Sequence, residues 1–141
     1  MSHFTLYADG GSRGNPGPAG AGAMIHDEHN NPVASVSHFL GTRTNNFAEY
    51  EAIILAFETL LKMVPAEKRS ETKIIVKMDS ELVVKQMLGI YKVKNEVLKE
   101  QKARLLQKIG AFNNVSFTHI PREENSDADA LANEAMDRKA N

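Results

Sequence analysis

Residues 3–40, HFTLYADGGSRGNPGPAGAGAMIHDEHNNPVASVSHFL, decide how the chain folds. His3 to Ala8 alternates and carries Phe4, Leu6 and Tyr7, which reads as a strand running into a turn at Gly10-Gly11. Residues 21–26 and 33–40 flank the polar stretch Asp27-Glu28-His29-Asn30-Asn31-Pro32, the pattern of a hairpin. Three antiparallel strands therefore open the fold.

Downstream the periodicity changes. Residues 47–64 set Ile53, Ile54, Phe57, Leu60, Leu61 and Val64 at helical spacing, with Asn46 as the expected N-cap. Residues 73–78 form a short β-branched run, a buried strand. Helices are predicted over 80–88 and 95–109, broken by Gly89-Ile90-Tyr91-Lys92, then a strand over 115–120 stopped by Pro121 and a closing helix over 126–139. The order βββ-α-β-α-α-β-α predicts an α/β fold: a mixed five-stranded sheet covered by helices.

At 141 residues, with 42% hydrophobic and 25% charged content, the chain suits one core, and residues 1–141 are expected to form a single domain. The absence of cysteine excludes a disulfide framework, thiol catalysis and a cysteine-based zinc site. The start MSHFTLYADGG has no basic region followed by a long apolar segment, and no run reaches the roughly 18 apolar residues of a membrane span. A cytoplasmic protein without membrane contact or obligate protein partner is expected.

The net charge of −1 argues against a generic nucleic-acid coater. Yet residues 85–108 hold seven basic side chains (Lys85, Lys92, Lys94, Lys99, Lys102, Arg104, Lys108) against Glu96 and Glu100, a local charge of about +5. Alone, such a run reads as a solvated helix face. Beside an acidic cluster elsewhere, it suits an enzyme that grips a polyanion and holds metals.

That acidic cluster is Asp9, Glu49, Asp79 and Asp129, each where an apolar run ends or a helix begins. Taken singly, each has a structural reading: Asn46-Phe47-Ala48-Glu49 has the form of a capping box, Asp79-Ser80 and Ser126-Asp127-Ala128-Asp129 resemble helix caps, and Asp9 precedes glycines. Together they fall at comparable edges of an open sheet, where ligands bind. Four ionised carboxylates in one cleft repel one another by several kcal/mol, so the arrangement makes sense as a seat for cations. Oxygen-only ligands select Mg²⁺ or Mn²⁺, and two such ions about 4 Å apart are standard apparatus for cutting phosphodiesters.

The segments DGGSRGNPGPAGAG, TNNFAEYEA, MDSELVV and HIPREENSDADALANEA resemble, in order and spacing, the successive motifs of ribonuclease H type 1, over about residues 4–136. The resemblance implies a ribonuclease H-like sheet with helices on both faces. It also implies endonucleolytic cutting of the RNA strand of an RNA/DNA hybrid by two metal ions, leaving a 5′-phosphate and a 3′-hydroxyl. The implied ligands are Asp9, Glu49, Asp79 and Asp129; Asp127 competes for the last position, but Asp129-Ala130-Leu131-Ala132 fits the family's pattern. Gly10, Gly11, Ser12 and Arg13, with Asn15 and Asn46, match the reader of RNA 2′-hydroxyls, and Thr44 a phosphate position on the DNA strand. For the glycine-rich loop the plain alternative is a tight turn, and for Asn46 a cap.

Three departures from the family bear on mechanism. The loop after the last strand lacks the usual mobile histidine; Arg122 is the expected substitute, with His119 read as packed in the strand. Glu81 stands where relatives carry an amide that contacts bases. The segment 89–94 is too short for a large basic protrusion, which leaves grip to Lys85, Lys92 and Lys94. Two other readings keep the same motifs: a catalytically weak hybrid-binding module, and a related-fold nuclease acting on double-stranded RNA or DNA junctions.

Overall fold

The computed structural model describes residues 2–141. Five strands, β1 (His3–Ser12), β2 (Gly17–His26), β3 (Pro32–Arg43), β4 (Lys73–Met78) and β5 (Asn114–His119), form one sheet in the order β3-β2-β1-β4-β5. β1, β2 and β3 pair antiparallel, whereas β4 joins β1, and β5 joins β4, in parallel. Four α-helices connect or flank them: α1 (Asn45–Met63), α2 (Glu81–Met87), α3 (Glu96–Ile109) and α4 (Ser126–Arg138). The expected mixed sheet and element order are borne out; two short 3-10 turns, Ala66–Glu71 and Arg122–Glu124, were not anticipated.

Alternation along β1 divides the molecule. Leu6 and Ala8 are fully buried, as are Val76 and Met78 of β4, and they share a face with Ile53, Phe57 and Leu60 of α1 in the main core. On the other face α4 lies across β2, β1 and β3, so helices cover both sides of the sheet. Asp9 belongs to this second face, because its ladder partner Gly22 is the residue against which α4 packs.

The glycine pair that suggested a turn after Ala8 does something else. β1 continues through Gly10 and Gly11 to Ser12, paired with β2 throughout. A side chain on Gly10 would collide with the Ala48 carbonyl and the Glu49 amide, so the missing Cβ is what lets α1 approach β1. The hairpin strands likewise extend beyond the expected limits, to Gly17 and Arg43.

Helix starts also differ. Thr44, rather than Asn46, is the N-cap of α1, its hydroxyl accepting from the Phe47 amide at 3.2 Å. Asn46 lies inside the first turn, and Asn45 is the residue that reaches Glu49, so the expected capping box is absent. Ser80 caps α2 and Asn95 caps α3 through side-chain oxygens. At α4 the capping position falls to Asn125, whose side chain makes no capping bond. Among the described residues no helix is long and apolar enough to cross a membrane.

Candidate active site

Two local devices bring the acids together. The parallel register pairs Tyr7 with Lys77, and continuing it by two residues sets Asp79, just past the end of β4, level with Asp9. The absence of side chains at Gly10 and Gly22 lets α1 and α4 close on β1 and β2, carrying in Glu49 and Asp129. The result is a cleft of about 490 Å³ lined by Asp9, Glu49, Asp79 and Asp129 together with Gly10, Gly11, Ser12, Arg13, Asn45 and Arg122. All four expected acids are in it. Asp127 is not: it is exposed and borders a smaller cavity with Tyr7 and His26.

The electrostatics are those of crowded carboxylates. Burial, then the Asp79 charge, then a hydrogen bond to Asp129 that only a protonated Asp9 can donate push the Asp9 carboxyl up to about 8. Burial raises Glu49 to about 7, against the lowering effect of a hydrogen bond from Ser80. Without a cation, this cleft therefore holds protons in place of part of its charge. An all-oxygen donor set of this kind fits a hard divalent cation. Among the described residues no three acidic or histidine side chains converge into a self-sufficient metal cage.

Asn45, which sequence reasoning passed over for its neighbour, organises the near wall. Its amide Nδ2 donates to Glu49 Oε1 at 3.3 Å, its Oδ1 accepts from the Ser12 backbone N–H at 3.3 Å, and its own backbone N–H donates to Asn15 Oδ1 at 3.1 Å. One residue thus ties the glycine-rich strand end to the start of α1. The only available signal was the run Thr44-Asn45-Asn46, three cap-competent residues whose pattern cannot rank them.

The remaining candidates are distributed. Arg13 reaches α4, pairing with Asp137 at 2.7 Å and donating to Asn133. Asn15, Thr44 and Asn46 line a second cleft of about 500 Å³ with Arg43 and Phe47. Lys92 borders a groove with Lys99 and Lys102, while Lys94 is exposed outside it. Lys85 is engaged by Glu81 at 2.6 Å and lies in a further groove with His119. Glu81 belongs to that groove and not to the acidic cleft. His119 is exposed, contrary to expectation, at the end of the edge strand β5.

A family model described as reverse transcriptase-like matches residues 7–135. The structure of LC11-RNase H1, isolated from compost by a metagenomic approach, superposes with a TM-score of 0.90 at 47% identity over 98% of each chain. The chain belongs to the type 1 ribonuclease H family. Another structure of that type 1 ribonuclease H, in complex with an RNA/DNA hybrid, matches equally well, with a TM-score of 0.90 over 96% of this chain and 97% of that one. Curated family relatives include ribonuclease HI of Halobacterium salinarum, 40% identical over 93% of this chain and 63% of that protein. A bifunctional protein of Mycobacterium tuberculosis is also 40% identical, over 96% of this chain but 36% of its own length. The chain thus spans from about a third to under two thirds of these curated relatives.

Proposed function

We propose that this protein is a metal-dependent endoribonuclease that hydrolyses the RNA strand of RNA/DNA hybrids, leaving 5′-phosphate and 3′-hydroxyl ends, with residues 1–141 acting as one catalytic domain. The observation that carries the reading is the convergence of Asp9, Glu49, Asp79 and Asp129 in one cleft, where burial first and then the neighbouring carboxylate charge raise Asp9 and Glu49. Bound there with substrate, two divalent cations, Mg²⁺ or Mn²⁺, supply the Lewis acidity that attack of water on a phosphodiester requires. The chain's own part is to present deprotonated carboxylates and to hold the duplex.

Recognition of RNA rests on the backbone of Gly10 to Arg13 beside the acids, within reach of 2′-hydroxyls, the groups that separate RNA from DNA. Asn15, Thr44 and Asn46 line a polar cleft next to Arg43, suited to a phosphate of the DNA strand. Arg122 stands at the acidic cleft and places a cation near the departing phosphate. Lys92 and Lys94, with Lys85 in support, grip the duplex farther out.

The test is cleavage of labelled RNA/DNA hybrid, double-stranded RNA, single-stranded RNA and duplex DNA with Mg²⁺, Mn²⁺ or chelator. Cutting of the hybrid's RNA strand that chelator abolishes is expected. Equal cutting of duplex DNA, or cutting that survives chelator, would overturn the reading, and hybrid binding without cutting would favour a binding module.

A further inference from the structure

We infer that Asn125 is a positioning residue that sets the Asp79 carboxylate against the strand bearing Asp9; the inference rests on the function proposed above. Asn125 is 1% exposed, and it occupies the capping position of α4 without using its side chain as a cap. The side chain turns inward. Its Nδ2 donates one hydrogen to the Ala8 carbonyl at 2.9 Å and the other to Asp79 Oδ1 at 3.2 Å.

Both acceptors fix the orientation of the amide, since only the NH₂ end can serve a carbonyl and a carboxylate together. Asn125 Oδ1 is buried without a partner among the described residues, so the site uses the residue for its donors and tolerates an idle acceptor. Its backbone carbonyl accepts from the Asp129 amide at 3.1 Å, in the first turn of α4. A single buried residue therefore touches Asp79, the neighbour of Asp9 and the backbone of Asp129. An ordinary helix cap would make neither of the two side-chain bonds.

The two donors act together on Asp79. One N–H takes up Asp79 Oδ1, and the other, anchored on the Ala8 carbonyl, holds the amide and with it that carboxylate oxygen in place. Positioning of this kind affects the chemical step more than duplex binding, because phosphate contacts lie elsewhere.

The experiment uses the full chain with Asn125→Ala and Asn125→Ser. Serine is favoured before helices but has one short hydroxyl hydrogen and cannot span both acceptors. Each variant is assayed well below its own melting temperature for kcat and KM on hybrid, and titrated with Mn²⁺ alone by water-proton relaxation. We expect kcat to fall tenfold or more with KM within about threefold of wild type, and Mn²⁺ binding by the free protein to weaken severalfold. On an Asp79→Asn background, Asn125→Ser should weaken Mn²⁺ binding no further, as two residues acting through one contact are not additive. A serine variant with kcat within twofold of wild type, a loss confined to KM, an unaltered Mn²⁺ titration, or full additivity with Asp79→Asn would each overturn the inference. Failure of wild-type protein to cut hybrid would instead refute the proposed function, and the Mn²⁺ titrations would still judge Asn125.

Discussion

Gly22 stands directly across the β1–β2 ladder from Asp9, and the space its missing side chain leaves is filled by the α4 backbone at Ala128 and Ala132. The acid and the glycine form one device: the first supplies charge, the second lets Asp129 come close enough to share a proton with it. Gly22→Ala should force α4 outward. We expect a stability loss of about 1–3 kcal/mol by urea unfolding, and at least about a tenfold drop in hybrid cleavage at temperatures where the variant is folded. Unchanged turnover would mean that the spacing of α4 from β2 does not govern the site.

Protonation of the cleft has a signed consequence for stability. Asp9 and Glu49 have folded values of about 8 and about 7, above the ordinary carboxylate range. Between the unfolded and folded values the native state binds more protons, so the stability they confer is lost as pH rises from about 4 through about 8. The metal-free protein should therefore melt several degrees lower at about pH 9 than at about pH 6. Excess Mg²⁺ should recover the loss at the alkaline end, where its ligands are ionised. Asp9→Asn should abolish cleavage, keep the fold and flatten the pH dependence; a slope as steep as wild type would assign the proton to another group.

The two acids of α4 are separable. Asp129 lines the acidic cleft while Asp127, two positions earlier and about 200° away around the helix, is exposed. Asp129→Asn should lose nearly all turnover and Asp127→Asn almost none, read by the same cleavage assay on folded protein.

Grip on the duplex should divide among the lysines by their engagement. Lys85 is held by Glu81 and Tyr91, whereas Lys92 and Lys94 are exposed. The Lys92→Ala/Lys94→Ala double variant should make the dependence of log affinity on log salt shallower by up to about two units, one for each phosphate that is no longer neutralised. Lys85→Ala should change that slope less. An order reversed between the two would relocate the binding surface toward α2.

Arg122 and His119 lie in different grooves, which makes their comparison clean. Arg122→Ala should lower saturated turnover about ten- to hundred-fold with little effect on hybrid binding in Ca²⁺. His119→Ala should leave turnover near wild type; the opposite pattern would assign the assisting role to His119.

Element order and the four acids were legible because each leaves a local trace: alternation in β1, helical spacing in α1, a carboxylate at each boundary. What escaped depends on the meeting of distant segments. Gly10 and Gly11 look like a turn to any local rule, and only the approach of Ala48 explains why the first of them is a glycine within a strand. Thr44, Asn45 and Asn46 are equally good caps on paper; the choice follows from Glu49 and Ser12, which Asn45 joins. Asn125 left no signal, since an asparagine before a helix reads as a cap and here its amide serves β1 and Asp79 instead.

The bond from Asn125 to Ala8 closes a span of 117 positions. During synthesis, the strand that bears Asp9 emerges first among these elements and the helix that completes its surroundings emerges after all of them. A ribosome-held chain that has released everything through β5 already displays Asp9, Glu49 and Asp79, yet lacks both the asparagine tether and the fourth acid. The acidic cleft is thus completed only once α4 has been synthesised and docked, although three of its four acids precede that helix in the chain.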